Sequence, residues 1–568
     1  MKKSGLVCLM VILILSLIIN VHYLDLKSGY YVDEGMTLFL ANGHYNGAVT
    51  SKSDYDISDF ISMYVIKDGD GITDVISNVC GMLSELANAG NYSKEGTVEW
   101  YDNARNMLQG TSNWMTGADL KKEIVAESGS RFQYGQVYIN QALDVHPFFY
   151  YALVHTIFSL FPDIYSDAFL FSVNIFFLIL ICIMLYKMIC TFWNDEKVAL
   201  LSVAIYGFSQ GFASCAVYFR MYAVLTFFVV CTLYYHLYIR IRESEFIERK
   251  SNWIKLGAVV WLGFNTHYYY ILFLVPLFVM TCARIWKNKI LRIKYIKTMM
   301  LTGVVSLVVW PFSIYHILFG YRGTEAASNI LSAGISKKVV GCLQEISNAF
   351  FAGNISIVVI FIVLLVIIFI ISYKNDSMLF YPEMIIPGIV YLVIVAQIAP
   401  VISDRYLMCL FPIMACMISI VFIRIMERYI KKDIIQKFMI LGCMVVFFAA
   451  NQYGISPNYL YQEQADRVLG ADIQKEESNC LMVGFDHGQG FAEVTKLSKF
   501  KNVLVVGQAE MDMIEPLNDS NNGELIIYVY EALRQDDILS QVSNRLELQA
   551  QYEEIQSDVE SFKAYRCF

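Results

Sequence analysis

The chain has 568 residues, 57% hydrophobic, 15% aromatic and only 17% charged, with a mean hydropathy of +0.48. Soluble globular domains hold about 45–50% apolar and about 25% charged residues, so a soluble enzyme, a nucleic-acid binder and a disordered scaffold are excluded. The net charge of −8 is unevenly divided: residues 30–146 carry 16 acidic and 7 basic side chains, residues 452–568 carry 20 and 9, and the rest is net +12.

Apolar runs recur from Val7 to Ala450. Each is long enough, or nearly so, to cross a hydrocarbon core of about 30 Å at about 1.5 Å per residue. The first, Met1–Asn20, has a charged start and an apolar middle but no small-x-small cleavage site before Val21, so an uncleaved anchor is expected. Residues 22–146 form a loop too long to be a mere connector, with helical patterns at 72–89, 97–108 and 118–126. A small helical cap packed on the membrane body is the expectation. Residues 147–161 are apolar but short, and read as a helix lying in the outer interface, where Tyr and Phe are favoured.

Further spans are expected near 168–190, 198–214, 219–239, 253–266, 268–284, 298–318, 354–373, 384–401, 404–424 and 434–451, which with 5–21 makes eleven. Three loops fix the orientation, because Lys and Arg stay cytoplasmic. One holds Arg240, Arg242, Arg249, Lys250 and Lys255; another runs from Arg284 to Lys297; the third holds Arg424, Arg428, Lys431, Lys432 and Lys437. Lys2 and Lys3 place the N-terminus on that side, and an odd number of spans puts both acidic blocks outside.

The expected organisation is a polytopic α-helical membrane domain over 1–451, containing the extracytoplasmic loop 22–146, followed by an extracytoplasmic α/β domain over 452–568. The latter shows three β-type runs, at 480–485, 502–506 and 525–530, with a helix-like stretch after the third. It has no glycine-rich phosphate loop, and its expected role is structural or docking. Of 13 cysteines, nine fall in or directly beside expected spans as small apolar fillers, and a Cys480–Cys567 bridge is left open.

Ionisable residues near the outer ends of spans are the informative ones, since desolvating them costs several kcal/mol unless pairing or function retains them. Asp33 and Glu34 follow the first span. Asp144-Val-His146-Pro closes the first loop, with Tyr150 just beyond. Proline fixes a helix start, which would present Asp144 and His146 at a helix N-terminus. Arg220 sits in Tyr-Phe-Arg-Met-Tyr222, and His267 and Tyr268 in Asn-Thr-His-Tyr-Tyr-Tyr. Asp404, Arg405 and Tyr406 open the span 404–424. Each site alone has a bland reading: a cap, a snorkelling arginine, an aromatic belt, a local ion pair. Together they set two arginines, which bind phosphate bidentately, beside carboxylates able to deprotonate a hydroxyl. The chemistry this fits is glycosyl transfer from a lipid-phosphate donor, outside the cell.

The ordered set Asp33-Glu34, Asp144-Val-His-Pro-Phe-Phe-Tyr-Tyr, Arg220-Met-Tyr-Ala, Thr266-His-Tyr-Tyr and Asp404-Arg-Tyr-Leu resembles the GT-C superfamily of membrane glycosyltransferases. The nearest branch is the bacterial one related to protein O-mannosyltransferases and lipid A aminoarabinose transferases. The resemblance covers about residues 1–425. It implies a polyprenyl-phosphate-linked donor, inversion at the anomeric carbon, Asp33 as base with Glu34 in support, and Arg220 and Arg405 on the donor phosphate. It also implies Asp144, His146, Tyr150, Tyr222, His267, Tyr268, Asp404 and Tyr406 around the substrates. Two positions depart from the pattern: Tyr218 stands where the family usually has an acid, and Phe148 where it has a second proline. The first weakens the case for a divalent metal, so a metal-independent mechanism is expected. The competing readings are a transporter or flippase for a lipid-linked saccharide and a non-catalytic envelope assembly protein. No internal repeat of the kind transporters carry is seen.

Overall fold

The computed structural model describes residues 3–44, 49–67, 69–89, 98–330, 332–374, 380–454, 456–462, 473–517, 524–547 and 551–567. The chain divides into a membrane unit, Met1–Leu24 with Phe171–Asn458, and a hydrophilic unit, Asp25–Leu170 with Tyr459–Phe568.

In the membrane unit each of the eleven expected segments contains helix, several of them interrupted, and the Ile335–Phe350 helix lies outside them. Five described helices are each long and apolar enough to cross a bilayer: Ser4–Leu26, Asp167–Phe192, Tyr222–Ile241, Met408–Tyr429 and Asp433–Gln452. Three bent pairs also qualify if each counts as one span: Glu196–Gly207 with Gln210–Val217 (54°), Lys289–Val309 with Ser313–Ile330 (97°), and Ile335–Phe350 with Ile355–Ile368 (100°). The bends were not visible as hydropathy, because a broken helix keeps the same apolar composition as a straight one. At the first bend Ser209 caps the new helix through Phe212 N–H. The expected spans 219–239 and 404–424 are shorter as helices. Tyr222 and Phe411 begin them, and irregular or 3₁₀ backbone precedes each.

The basic C-terminal ends of two helices meet the acidic start of a third, Pro382–Ile398. Arg240 pairs with Glu383 at 2.7 Å, and Arg284 donates to the Arg240 carbonyl at 2.6 Å. The Tyr222–Ile241 helix spans 20 residues, about 30 Å of rise, so Arg220 and Arg240 stand about one hydrocarbon thickness apart.

The hydrophilic unit is built from both acidic blocks. Its sheet runs, in spatial order, Met115–Thr116, Asn502–Gly507, Asn479–Gly484, Leu525–Tyr530, Phe562–Cys567 and Tyr552–Ile555. The Asn479 strand pairs parallel with both the Asn502 and Leu525 strands, and the other pairings are antiparallel. The three parallel strands are the ones expected from sequence. They are buried on both faces, which is why they read as unbroken apolar runs. The Phe562 and Tyr552 strands were missed, because their alternating polar residues look like loop. The first strand comes from the long loop near the N-terminus, so a boundary at 451/452 marks a change in composition, while contacts join the loop to the C-terminal block.

Cys480 and Cys567 are both free and buried. Their strands are separated by the Leu525 strand, roughly 9–10 Å at two interstrand spacings, too far for a bridge. The expected loop helices appear at Ile72–Ala87, Glu99–Gln109 and Gly117–Ile124. The short apolar segment forms the Phe149–Leu160 helix, with Tyr150, Tyr151, Val154, His155 and Phe158 buried.

The Val32–Asn42 helix approaches the Gly490–Leu497 helix closely. A Cβ on Gly35 would lie 1.8 Å from the Phe491 carbonyl oxygen, and the Phe39 and Phe491 rings meet edge to face at 5.1 Å. Gly81, in the Ile72–Ala87 helix, meets nothing within 4 Å. Gly35→Ala is therefore expected to destabilise the hydrophilic unit by about 1–3 kcal/mol, and Gly81→Ala to stabilise it by about 0.5–1 kcal/mol. Thermal unfolding of the detergent-solubilised variants checks both signs.

Candidate active site

The membrane unit gathers its candidate residues at helix breaks. Where the Gln210–Val217 helix ends, residues 218–221 leave helical geometry before Tyr222 starts the next helix. Backbone carbonyls freed at membrane depth need partners, since lipid supplies none. Asn174, fully buried on the neighbouring helix, donates its amide to the carbonyls of Tyr218 (2.7 Å), Cys215 and Ala216 (3.3 Å each). That holds the break open and sets Arg220 within it, 4% exposed.

Arg405 reaches the same break. It lies in the 3₁₀ turn Asp404–Tyr406, 7% exposed, and donates from Nη1 to the Tyr218 hydroxyl at 2.7 Å. Tyr218 stacks on Tyr222 with centroids 5.7 Å apart and planes 16° from parallel. Tyr222 in turn faces His267 at 5.7 Å and Tyr406 at 6.1 Å, while Tyr269 sits 4.9 Å from His267 and 5.5 Å from Tyr406. The Arg405 guanidinium lies over the Tyr406 ring at 4.9 Å. Asp404 is 3% exposed and accepts from the Asn458 amide at 2.9 Å. Tyr391 holds the turn by donating to the Tyr406 carbonyl at 2.7 Å.

Arg220, Tyr222, His267, Asp404, Arg405 and Tyr406 thus share one neighbourhood, at helix ends opposite the Arg240–Arg284 cluster. Tyr268 is turned into a different network, with its hydroxyl 2.8 Å from His316 Nδ1 and 2.9 Å from Trp310 Nε1. Sequence reasoning missed Tyr218 as a partner of Arg405, and missed Asn174 and Asn458. Tyr218 carried a signal, since it replaces an expected acid. Asn174 did not, since a lone Asn in an apolar run names no partner.

In the hydrophilic unit Asp33 and Glu34 begin the Val32–Asn42 helix, but their environments differ. Glu34 is fully buried. It accepts the Tyr31 N–H at 2.7 Å in a capping arrangement and pairs with buried Lys27 at 3.1 Å. Lys27 also donates to the Tyr459 carbonyl at 2.7 Å and lies 5.3 Å from the Tyr30 ring and 5.4 Å from the Tyr461 ring. Burial lowers the Lys27 pKa, and Glu34 opposes the shift. The hydroxyls of Tyr30 and Tyr165 both donate to Asp167, and burial with that carboxylate raises both phenols well above their usual range. Asp33, one residue from this lattice, remains partly exposed. Lys27 stands six residues before Asp33, a spacing that by itself is silent.

Asp144 corrects the expected cap. It is the C-terminal cap residue of the Tyr134–Leu143 helix, whereas the next helix starts at Phe149 with Phe148 in the capping position. The Asp144 carboxylate instead binds His146 Nδ1 at 2.9 Å. Tyr150 is fully buried, its ring 5.7 Å from Tyr151. Among the described residues no group of three or more His, Cys, Asp or Glu side chains could hold a metal ion.

Residues 136–321 match the family model described as dolichyl-phosphate-mannose-protein mannosyltransferase. That stretch contains Asp144, His146, Arg220 and His267, the middle of the ordered motif set. Two solved structures are similar to the chain. ArnT from Cupriavidus metallidurans bound to undecaprenyl phosphate is 10% identical, with 74% of this chain and 88% of that one covered and a TM-score of 0.42. The same protein in the apo state is 12% identical, with 74% and 87% covered and a TM-score of 0.43. No curated protein matches the chain by sequence.

Removing one partner of a buried ion pair strands the other charge, so Glu34→Gln is expected to destabilise the protein by about 3–5 kcal/mol. Asp33→Asn, at a partly exposed position, is expected to change stability by less than about 1 kcal/mol. A Lys27→Met, Glu34→Leu double variant should recover part of the loss, because both charges leave together. Melting temperatures of the purified variants separate the three.

Proposed function

We propose that the protein is an integral-membrane, inverting glycosyltransferase that moves a sugar from a polyprenyl-phosphate donor to an extracytoplasmic acceptor in the cell envelope: a glycan, lipid or protein. Its N-terminus is cytoplasmic, eleven helices cross the membrane, and both acidic blocks face outward. The observation that carries the reading is the buried cluster of Arg220 and Arg405 among Tyr218, Tyr222, His267 and Tyr406, at helix ends about 30 Å from the basic cytoplasmic loops. The family match, which spans Tyr218, Arg220, Tyr222 and His267 and ends before Arg405, supports it.

In this reading Asp33 accepts the proton of the acceptor hydroxyl as that oxygen attacks the anomeric carbon. The bond from that carbon to the phosphate oxygen breaks, and polyprenyl phosphate leaves with the electron pair, its charge rising from −1 towards −2. Interactions that strengthen as this charge develops are the ones that accelerate the step. Arg220 and Arg405 supply them. Tyr218 orients Arg405 through a neutral hydroxyl and adds no negative charge of its own to compete with the phosphate. Glu34 holds the start of the Val32 helix rigid through its cap and ion pair, and so sets the Asp33 backbone. His146 and Asp144, with Tyr150, are assigned to the pocket border. His267, Tyr268, Tyr222, Asp404 and Tyr406 are assigned to sugar and headgroup contacts. No step requires a metal.

Asp33→Asn is expected to abolish transfer while leaving expression and melting temperature near wild type, in an assay over a panel of polyprenyl-phosphate sugars. Transfer at the normal rate by that variant would remove Asp33 as the base. Arg405→Ala and Arg220→Ala are each expected to lower kcat/KM by about 10²–10³, the size of losing one preorganised electrostatic contact. Tyr218→Phe should cost about tenfold or less, the value of one hydrogen bond.

A further inference from the structure

At the far end of the Val32–Asn42 helix, about 14 Å of helical rise from Asp33, the hydrophilic unit contains two adjoining clefts of about 150 Å³ and 500 Å³. They share His44, Asp119, Glu123 and Gln136. The floor of the smaller one is fixed. His155 is 2% exposed, its Nε2 accepts the Gln133 N–H at 3.1 Å, and its Nδ1 lies 3.3 Å from Asn42 Oδ1. Those contacts set a neutral ring, and burial lowers its pKa in keeping with that state. Asn42 is held in turn by donating to the Ile124 carbonyl at 3.1 Å. On the wall, Glu123 accepts the His44 backbone N–H at 2.9 Å.

The larger cleft adds aromatic faces. Tyr55 is 46% exposed. Trp114 is half-buried, tethered by its indole N–H to the Glu515 carbonyl at 2.9 Å. Over both clefts five carboxylates face two lysines. The carboxylates of Asp119 and Glu123 and the Gln136 amide, which line both clefts above that fixed floor, match the hydroxyls of a sugar, and flat aromatic faces match its C–H face. The negative balance disfavours phosphate- or uronate-bearing chains. A polar floor also offers none of the apolar anchor pockets that peptide recognition uses.

We infer that these joined clefts form a glycan-binding groove for a neutral or amine-bearing saccharide chain, the acceptor of the transfer proposed above. The acceptor role rests on that reading; the binding itself does not. Titration calorimetry on the full-length protein in detergent tests it, with N-acetylglucosamine oligomers, their deacetylated amine forms, polygalacturonate oligomers and a basic peptide. The neutral and amine chains are expected to bind and the anionic chain not to. Tyr55→Ala and Glu123→Gln should each weaken binding tenfold or more. Asp33→Asn should bind as wild type while transferring nothing. The inference is overturned if neither neutral nor amine chains bind, if both groove variants bind as wild type, or if the anionic chain or the peptide binds more tightly. Binding intact with transfer absent in the wild-type protein would count against the transferase reading alone. Transfer intact with no saccharide binding would count against the groove alone.

Discussion

A helix that breaks inside a packed interior leaves carbonyl groups that water cannot reach, and the residues set at the break after Val217 depend on how that problem is met. Asn174 meets it, giving one side-chain amide to three carbonyls around the end of the Gln210–Val217 helix. With those carbonyls satisfied, residues 218–221 keep an irregular path. That path lets a buried arginine and a stacked tyrosine pair occupy a place a continuous helix would fill with apolar side chains. The 3₁₀ turn at Asp404–Tyr406 repeats the device, with Tyr391 and Asn458 as the supports.

Buried cations need compensation, and the two units provide it differently. Lys27 is paired directly with Glu34 and enclosed by two tyrosine rings, an arrangement that neutralises its charge and fixes a helix start. Arg405 donates to a phenolic hydroxyl and lies over an aromatic face, contacts that orient its guanidinium. The first arrangement is structural. The second fixes the direction of a planar, multiply donating cation. Glu34 and Asp33, adjacent in the chain and alike in chemistry, differ in surroundings: Glu34 is fully buried against Lys27, and Asp33 is partly exposed.

Several of these features were legible in the residues. The three parallel strands, the loop helices and the eleven helical segments follow from apolar period and run length. The motif order placed Arg220, His267 and Arg405 at one set of helix ends. Tyr222, Tyr406 and His267 do converge, while Tyr268, one residue from His267, turns to Trp310 and His316. His267, Tyr268 and Tyr269 lie in the turn between two helices, where no helical or strand period sets side-chain direction, and nothing in the Tyr-Tyr-Tyr run says which ring faces which way. The proline places Asp144 and His146 at the start of the following helix, but that helix begins only at Phe149; Asp144 ends the preceding helix, and its carboxylate binds His146.

Composition and charge, read along the chain, determined that this is a membrane protein with a basic body and two acidic hydrophilic blocks, because transfer of apolar and charged groups between water and lipid depends on residue type. They could not determine that the two blocks build one sheet, with Met115–Thr116 at the edge of strands nearly four hundred residues later. Nor could they show that Tyr218 would bond Arg405, 187 residues away. Long-range pairings are set by which surfaces meet once the chain is compact, and residue type alone leaves many partners equally acceptable. Tertiary structure chose among them.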